Sequence, residues 1–197
     1  MENRKSIINN YISVIDAIYG VYLDSTLGFK LLNKYIQKIQ RESIRLIGPE
    51  ATIEKLDKAE FIYGRGSPPQ YKDPSNPNSL HKTTQGVLKE RNKESGINFK
   101  TIGNLSIVQI YQFWENNYRD KIAQAMNLKR DELKSDIFGE LRCLRESILH
   151  HSSFALPNVE KKVKVVKFKG GEEIFLKKND VRKIVNTVKI YLNTLRG

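Results

Sequence analysis

A single cysteine, Cys143, stands among the 197 residues. An internal disulfide, or a thiolate metal cluster built by this chain alone, is therefore excluded. No stretch approaches the roughly 18 consecutive apolar residues of a membrane-crossing helix. Met1-Glu2-Asn3-Arg4-Lys5 leads straight into an amphipathic pattern. It lacks the uninterrupted apolar segment and small-residue cleavage site of a signal peptide, so the expected compartment is the cytoplasm. Prolines number six, and Pro68, Pro69, Pro74 and Pro77 crowd into one short stretch. Histidine chemistry has three candidates only, His81, His150 and His151.

Positive charge is abundant. Lys and Arg total 34 against 22 Asp and Glu, a formal net charge of +12. Such an excess favours a polyanionic partner, because each neutralised phosphate releases condensed counterions. Membership of a lysine-rich proteome would give the same composition without that partner. The hydrophobic fraction of 39% and charged fraction of 28% are those of an ordinary globular protein.

Hydrophobic spacing predicts a mainly α protein, an antiparallel helical bundle with one small C-terminal β-hairpin, as a single domain over 1–197. Ile7, Ile8, Tyr11, Ile15, Ile18 and Tyr19 mark a first helix ending near Tyr22. Ser25 or Thr26 is placed to cap a second, and Gly48-Pro49 to end it. Between Glu50 and Lys100 the pattern weakens, with short helices expected at 51–59 and 81–93 and a loop-rich surface insertion over 64–100. Ile107, Ile110, Trp114, Tyr118, Ile122 and Ala125 recur as one helix face, which assigns Trp114 to the core. A further helix is expected from about Arg130 to Leu149. Over 159–177 the period changes to two, with a β-bulge expected at Val165-Val166 and a Gly170-Gly171 turn, predicting the hairpin. Asn179 or Asp180 would cap the last helix.

Arg145-Glu146-Ser147-Ile148-Leu149-His150 closes the 130–149 helix. A five-residue step on a regular helix turns through about 500°, leaving the two side chains about 140° apart. They converge if the helix ends or distorts near His150, or if two chains meet across a dimer axis.

The segment from Glu140 to His150 resembles the signature of HEPN domains, an arginine followed by four to six residues and a histidine. The Lys167–Leu176 stretch leading into Asp180-Val181 and a terminal helix is also similar to the tail of some members. The resemblance covers about 105–195. It implies a helical bundle that forms a homodimer with two arginine–histidine pairs in one cleft. It further implies an endoribonuclease requiring neither metal nor other cofactor, acting as a toxin or antiphage defence effector with a protein antitoxin or regulator as a further partner. The alternative within the same fold is a non-catalytic nucleic-acid-binding or regulatory partner protein. Carried onto this chain, His150 is the acid/base group and Arg145 the phosphate ligand, with Glu140, Arg142, Glu146 and His151 as supporting candidates. Glu146 departs from the small polar residue usual after the motif arginine, and has Arg142 and His150 within helical reach for pairing.

Histidine suits proton transfer near neutral pH, and the planar fork of arginine suits two phosphoryl oxygens. Each of these residues also has a plainer reading. A helix C-terminus favours histidine without catalysis, and Glu140 and Arg142 are commonplace surface pairing residues. Cys143 reads as a small buried side chain, and His81 as exposed. Lys161, Lys162, Lys164, Lys167 and Lys169 form the densest basic run, suited to tracking an RNA backbone or to protecting a strand edge. A protein-binding scaffold acting through the 64–100 loop is a third functional class.

Overall fold

The structure is a computed structural model that describes residues 3–64 and 79–196. It is mainly helical, with one small two-stranded antiparallel sheet. No helix among the described residues is long and apolar enough to cross a membrane. The chain divides into two compact units, residues 1–25 with 100–197, and residues 26–99.

Helix α1, Arg4–Ile47, contributes to both units as one uninterrupted helix. The break expected at Ser25-Thr26 does not occur, and Thr26 is buried within the helix. Capping residues end a helix only where the backbone has reason to leave it, and this stretch has neither proline nor a glycine with positive φ. The stop comes at Gly48, as the sequence indicates. Its φ of +85° is the left-handed conformation glycine tolerates, and its N–H reaches the carbonyl of Ile44 at 2.9 Å.

In the first unit, α1 buries Ile7, Ile8, Tyr11, Ile15, Ile18 and Tyr22. Helix α4 (Ile97–Phe113) runs into a single π-helical turn, Trp114–Tyr118, and then α5, Arg119–Ala125. Trp114 is 1% exposed and stacks on Phe138 with ring centres 3.9 Å apart. Tyr11 donates its hydroxyl to the carbonyl of Ile110 at 2.8 Å, and burial followed by the nearby Tyr118 pushes its pKa well up. Helix α6, Asp136–His150, starts later than the expected Arg130. Ser135 caps it by accepting from the N–H of Phe138, while the residues before it are turns. Helix α8, Lys178–Thr194, buries Val181, Ile184, Val185, Val188 and Leu192. It begins before Asn179, and Asp180 serves from inside its first turn, accepting the N–H of Lys177 at 3.0 Å.

The C-terminal hairpin requires correction. Residues 159–177 contain a short helix, α7 (Val159–Lys162), the Gly170-Gly171 turn and no strand ladder. Alternation nevertheless places side chains correctly. Val163, Val165 and Val166 are buried, Phe168 is half-buried, and the lysines between them face solvent. What fails is the pairing. Two acceptor bonds to the 163–165 segment come from the Glu140 carboxylate, and the returning segment pairs with residues 153–155 instead. Ala155 N–H reaches Glu172 O, and Ile174 N–H reaches Ser153 O. Buried Asn104 completes that edge, donating to Ile174 O at 2.8 Å and accepting from Leu176 N–H. A Cβ at Gly103 would stand 2.7 Å from the carbonyl oxygen of Leu176, so this close approach requires glycine.

The two strands lie mid-chain, in the second unit. Strand β1 (Glu60–Gly64) ends where the stretch expected to be loop-rich begins, and pairs antiparallel with β2 (Ser79–Thr84) inside it, while residues 65–78 of that stretch lie outside the described residues. Helices α2 (Ile53–Lys58) and α3 (Gln85–Arg91) fall within the expected helical stretches, each opened by a threonine cap. Buried Gln40 of α1 donates to Asp57 Oδ1 and to Gln85 Oε1, and Lys89 reaches both Gln40 and Asp57.

Candidate nucleic-acid interface

The α6 stripe of Ile137, Phe138, Leu141, Leu144 and Ile148 is buried, as its spacing requires. Beyond His150 the chain turns sharply. His151 N–H and Ser153 N–H both reach the carbonyl of Ser147, and the Ser147 hydroxyl accepts from Leu156 N–H at 3.1 Å. Ser152 and Ser153 hold φ values of 50° and 67°, left-handed conformations that cost a non-glycine residue energy.

The helix stays regular up to His150, so one chain does not direct Arg145 and His150 to a common point. Arg145 is half-buried, and its Nε is enclosed without a hydrogen-bond partner. Burial, and then Glu115, raise the pKa of Tyr111 against the opposing charges of Arg142, Arg145 and Arg119. His150 and His151 are exposed.

A cleft of about 690 Å³ lies along another face of α6, lined by Ser135, Asp136, Gly139, Glu140, Arg142, Cys143 and Glu146. Its other wall is Asn158, Lys161, Lys162 and Lys164. His150 lies seven residues beyond Cys143 and four beyond Glu146, so its azimuth falls on the cleft side of the helix. Arg145 sits about 100° round from Glu146. The arginine that lines the cleft is therefore Arg142, placed by sequence only among supporting residues.

Glu140 organises the cleft. Its Oε2 accepts the N–H groups of Lys164 and Val165, each at 2.7 Å, and so ties the basic segment to α6. Among the described residues Glu146 forms neither of the helical pairs open to it, with Arg142 or with His150. Its exposed carboxylate faces the cleft unneutralised. Lys161, Lys162, Lys164, Lys167 and Lys169 are all exposed, and their ammonium groups make no ion pair among the described residues. Cys143 is half-buried on the cleft wall rather than fully enclosed. Among the described residues no group of three or more histidine, cysteine or acidic side chains could hold a metal ion. No family model matches the chain, and no curated protein or solved structure is significantly similar to it.

Proposed function

We propose that the chain is a metal-independent endoribonuclease of HEPN type, an antiparallel helical bundle that works as a homodimer and serves as a toxin or antiphage defence effector. The observation that carries this reading is the position of His150. It is the exposed last residue of α6 and continues the helix face along which four basic side chains line a cleft. A lysine-walled cleft attracts a phosphodiester backbone, and a histidine on the same helix face, one turn beyond Glu146, supplies a group able to move a proton near neutral pH. In the proposed reaction, His150 takes the proton of an RNA 2′-hydroxyl as its oxygen bonds to the adjacent phosphorus. The bond from phosphorus to the 5′-oxygen breaks, and the partner subunit's His150 protonates the departing oxygen. Arg145 holds phosphoryl oxygens as charge develops on them. The two-fold axis answers the 140° divergence by drawing one arginine and one histidine from each chain. Products are a 2′,3′-cyclic phosphate and a 5′-hydroxyl.

A second reading is favoured by Glu146. An unpaired carboxylate on the cleft face opposes phosphate entry, which suits a non-catalytic HEPN-like partner that binds RNA through Lys161–Lys169 alone. Incubation of the purified protein with mixed RNA in EDTA separates the two. Cyclic-phosphate ends that disappear with His150→Ala, in a rate loss of about 10²–10⁴, support cleavage. Strict dependence on added magnesium, or full activity without His150, sinks it.

A further inference from the structure

A different arginine and histidine in this chain are in contact. Tyr63 of β1 and His81 of β2 are directly paired across the hairpin, and Arg91, the last residue of α3, reaches both. Its Nη1 lies 3.2 Å from His81 Nε2, and its Nη2 donates to the Tyr63 hydroxyl at 3.1 Å. The guanidinium carbon stands 5.8 Å from the centre of the Tyr63 ring, and the enclosed Nε has no partner. Among the described residues, three neighbouring lysines are paired with carboxylates. Lys82 pairs with Glu60, Lys89 with Asp57 and Lys93 with Glu90. Arg91 has no carboxylate partner among the described residues.

We propose that Tyr63, His81 and Arg91 form a binding site for a phosphate group, that of a phosphodiester in single-stranded RNA. The inference goes beyond the reading of His150 and does not depend on cleavage. His81 Nε2 can face Arg91 only as an acceptor, the tautomer with its hydrogen on Nδ1. That neutral nitrogen is a weaker partner for a guanidinium than an anionic oxygen, so a phosphate oxygen would displace it. The planar fork then offers parallel N–H groups to two oxygens of one phosphate. The Tyr63 oxygen already accepts from Arg91, which leaves its hydrogen to donate to a non-bridging or ester oxygen of the same phosphodiester. His81 is exposed, so the ligand needs no opening of the fold to arrive. The net charge of +12 favours a polyanion as the source of that phosphate.

The test follows histidine ring resonances of the full chain by NMR. Inorganic phosphate is titrated in one arm and a short 2′-O-methyl RNA, which cannot be cleaved through its 2′ position, in the other. The His81 signal is identified by its loss in His81→Asn. Both probes are expected to move that signal. Arg91→Gln should abolish the movement and weaken RNA binding about tenfold, the scale of a lost charge-assisted hydrogen bond. Tyr63→Phe should weaken it less, and provides the check if Arg91→Gln does not fold. A His81 signal indifferent to both probes overturns the proposal, as does wild-type RNA affinity in both folded variants. Movement with inorganic phosphate but not with RNA overturns the RNA assignment. Loss of RNA cleavage in His150→Ala bears only on the proposed ribonuclease, so the two readings fail separately.

Discussion

Glu140 Oε2 accepts the backbone N–H of Lys164 at 2.7 Å, joining α6 to the basic segment across 24 residues of chain. The same oxygen takes the N–H of Val165. Two donors of an extended segment are thus satisfied by a side chain where a strand would otherwise be needed. Glu140→Ala should lower stability by about 2 kcal/mol, the scale of a charge-assisted hydrogen bond removed from a half-buried site. It should also loosen the lysines and weaken RNA binding. Glu140→Gln keeps an acceptor oxygen and should recover most of both. Urea unfolding beside RNA titration provides the check, and unchanged RNA affinity in a folded Glu140→Ala protein would show that the tether has no part in binding.

Lys162, Lys164 and Lys167 are exposed and form no ion pair among the described residues, which leaves them available to phosphates. RNA affinity should fall steeply as salt rises. Replacing all three by glutamine should flatten the log–log salt slope by about 2, at roughly 0.7 for each single-strand phosphate that is no longer neutralised. The domain should stay folded, because none of the three ammonium groups holds the structure together. A wild-type slope near zero would show that the charge does not meet phosphate.

The proposed homodimer makes a geometric prediction. With a two-fold axis near the C-terminal ends of the α6 helices, a lone cysteine at position 150 should cross-link to its copy. Cys143→Ser with His150→Cys provides that protein, since Cys143 is the only native thiol. Oxidation should give a covalent dimer, and light scattering of the unmodified chain should show dimer at micromolar concentration. A monomer that never cross-links would remove the paired site.

Asp57 gives a pH dependence with a definite sign. The hydrogen bond from Lys89 is the main cause that lowers its pKa, aided by Gln40 and by the charges of Lys89 and Lys93, against the opposing effect of burial. A carboxyl lowered in the folded state stabilises fully above its unfolded value of about 3.9. That contribution is lost as pH falls through the lower folded value. Acid unfolding of Lys89→Met should show less of this dependence than the wild type. Identical acid profiles would mean the Lys89–Asp57 pair, 2.6 Å apart, contributes nothing to stability.

Local physical rules made several features legible in the sequence. The three-to-four spacing around Trp114 marked a buried face, and Trp114 is enclosed. Gly48-Pro49 marked the end of α1 because proline disfavours helical angles in the residue before it, and Gly48 ends the helix by taking a positive φ. Alternation along 163–168 told which side chains turn inward, since it reflects burial and not the identity of the neighbouring chain. For the same reason it could not choose a partner. Hydrogen bonding assigned 163–165 to the Glu140 carboxylate and 172–174 to residues 153–155, while the sheet formed from 60–64 and 79–84. Tertiary structure also decided that Ser25-Thr26 lies inside a helix. A cap residue states a local preference, and burial of Thr26 in a continuous α1 overrides it. The arginine–histidine spacing was plain in the sequence, and a regular α6 sets its members about 140° apart. His81 and Arg91 carried no motif, because their meeting depends on a strand register and the end of the following helix, neither of which nearest-neighbour preferences specify.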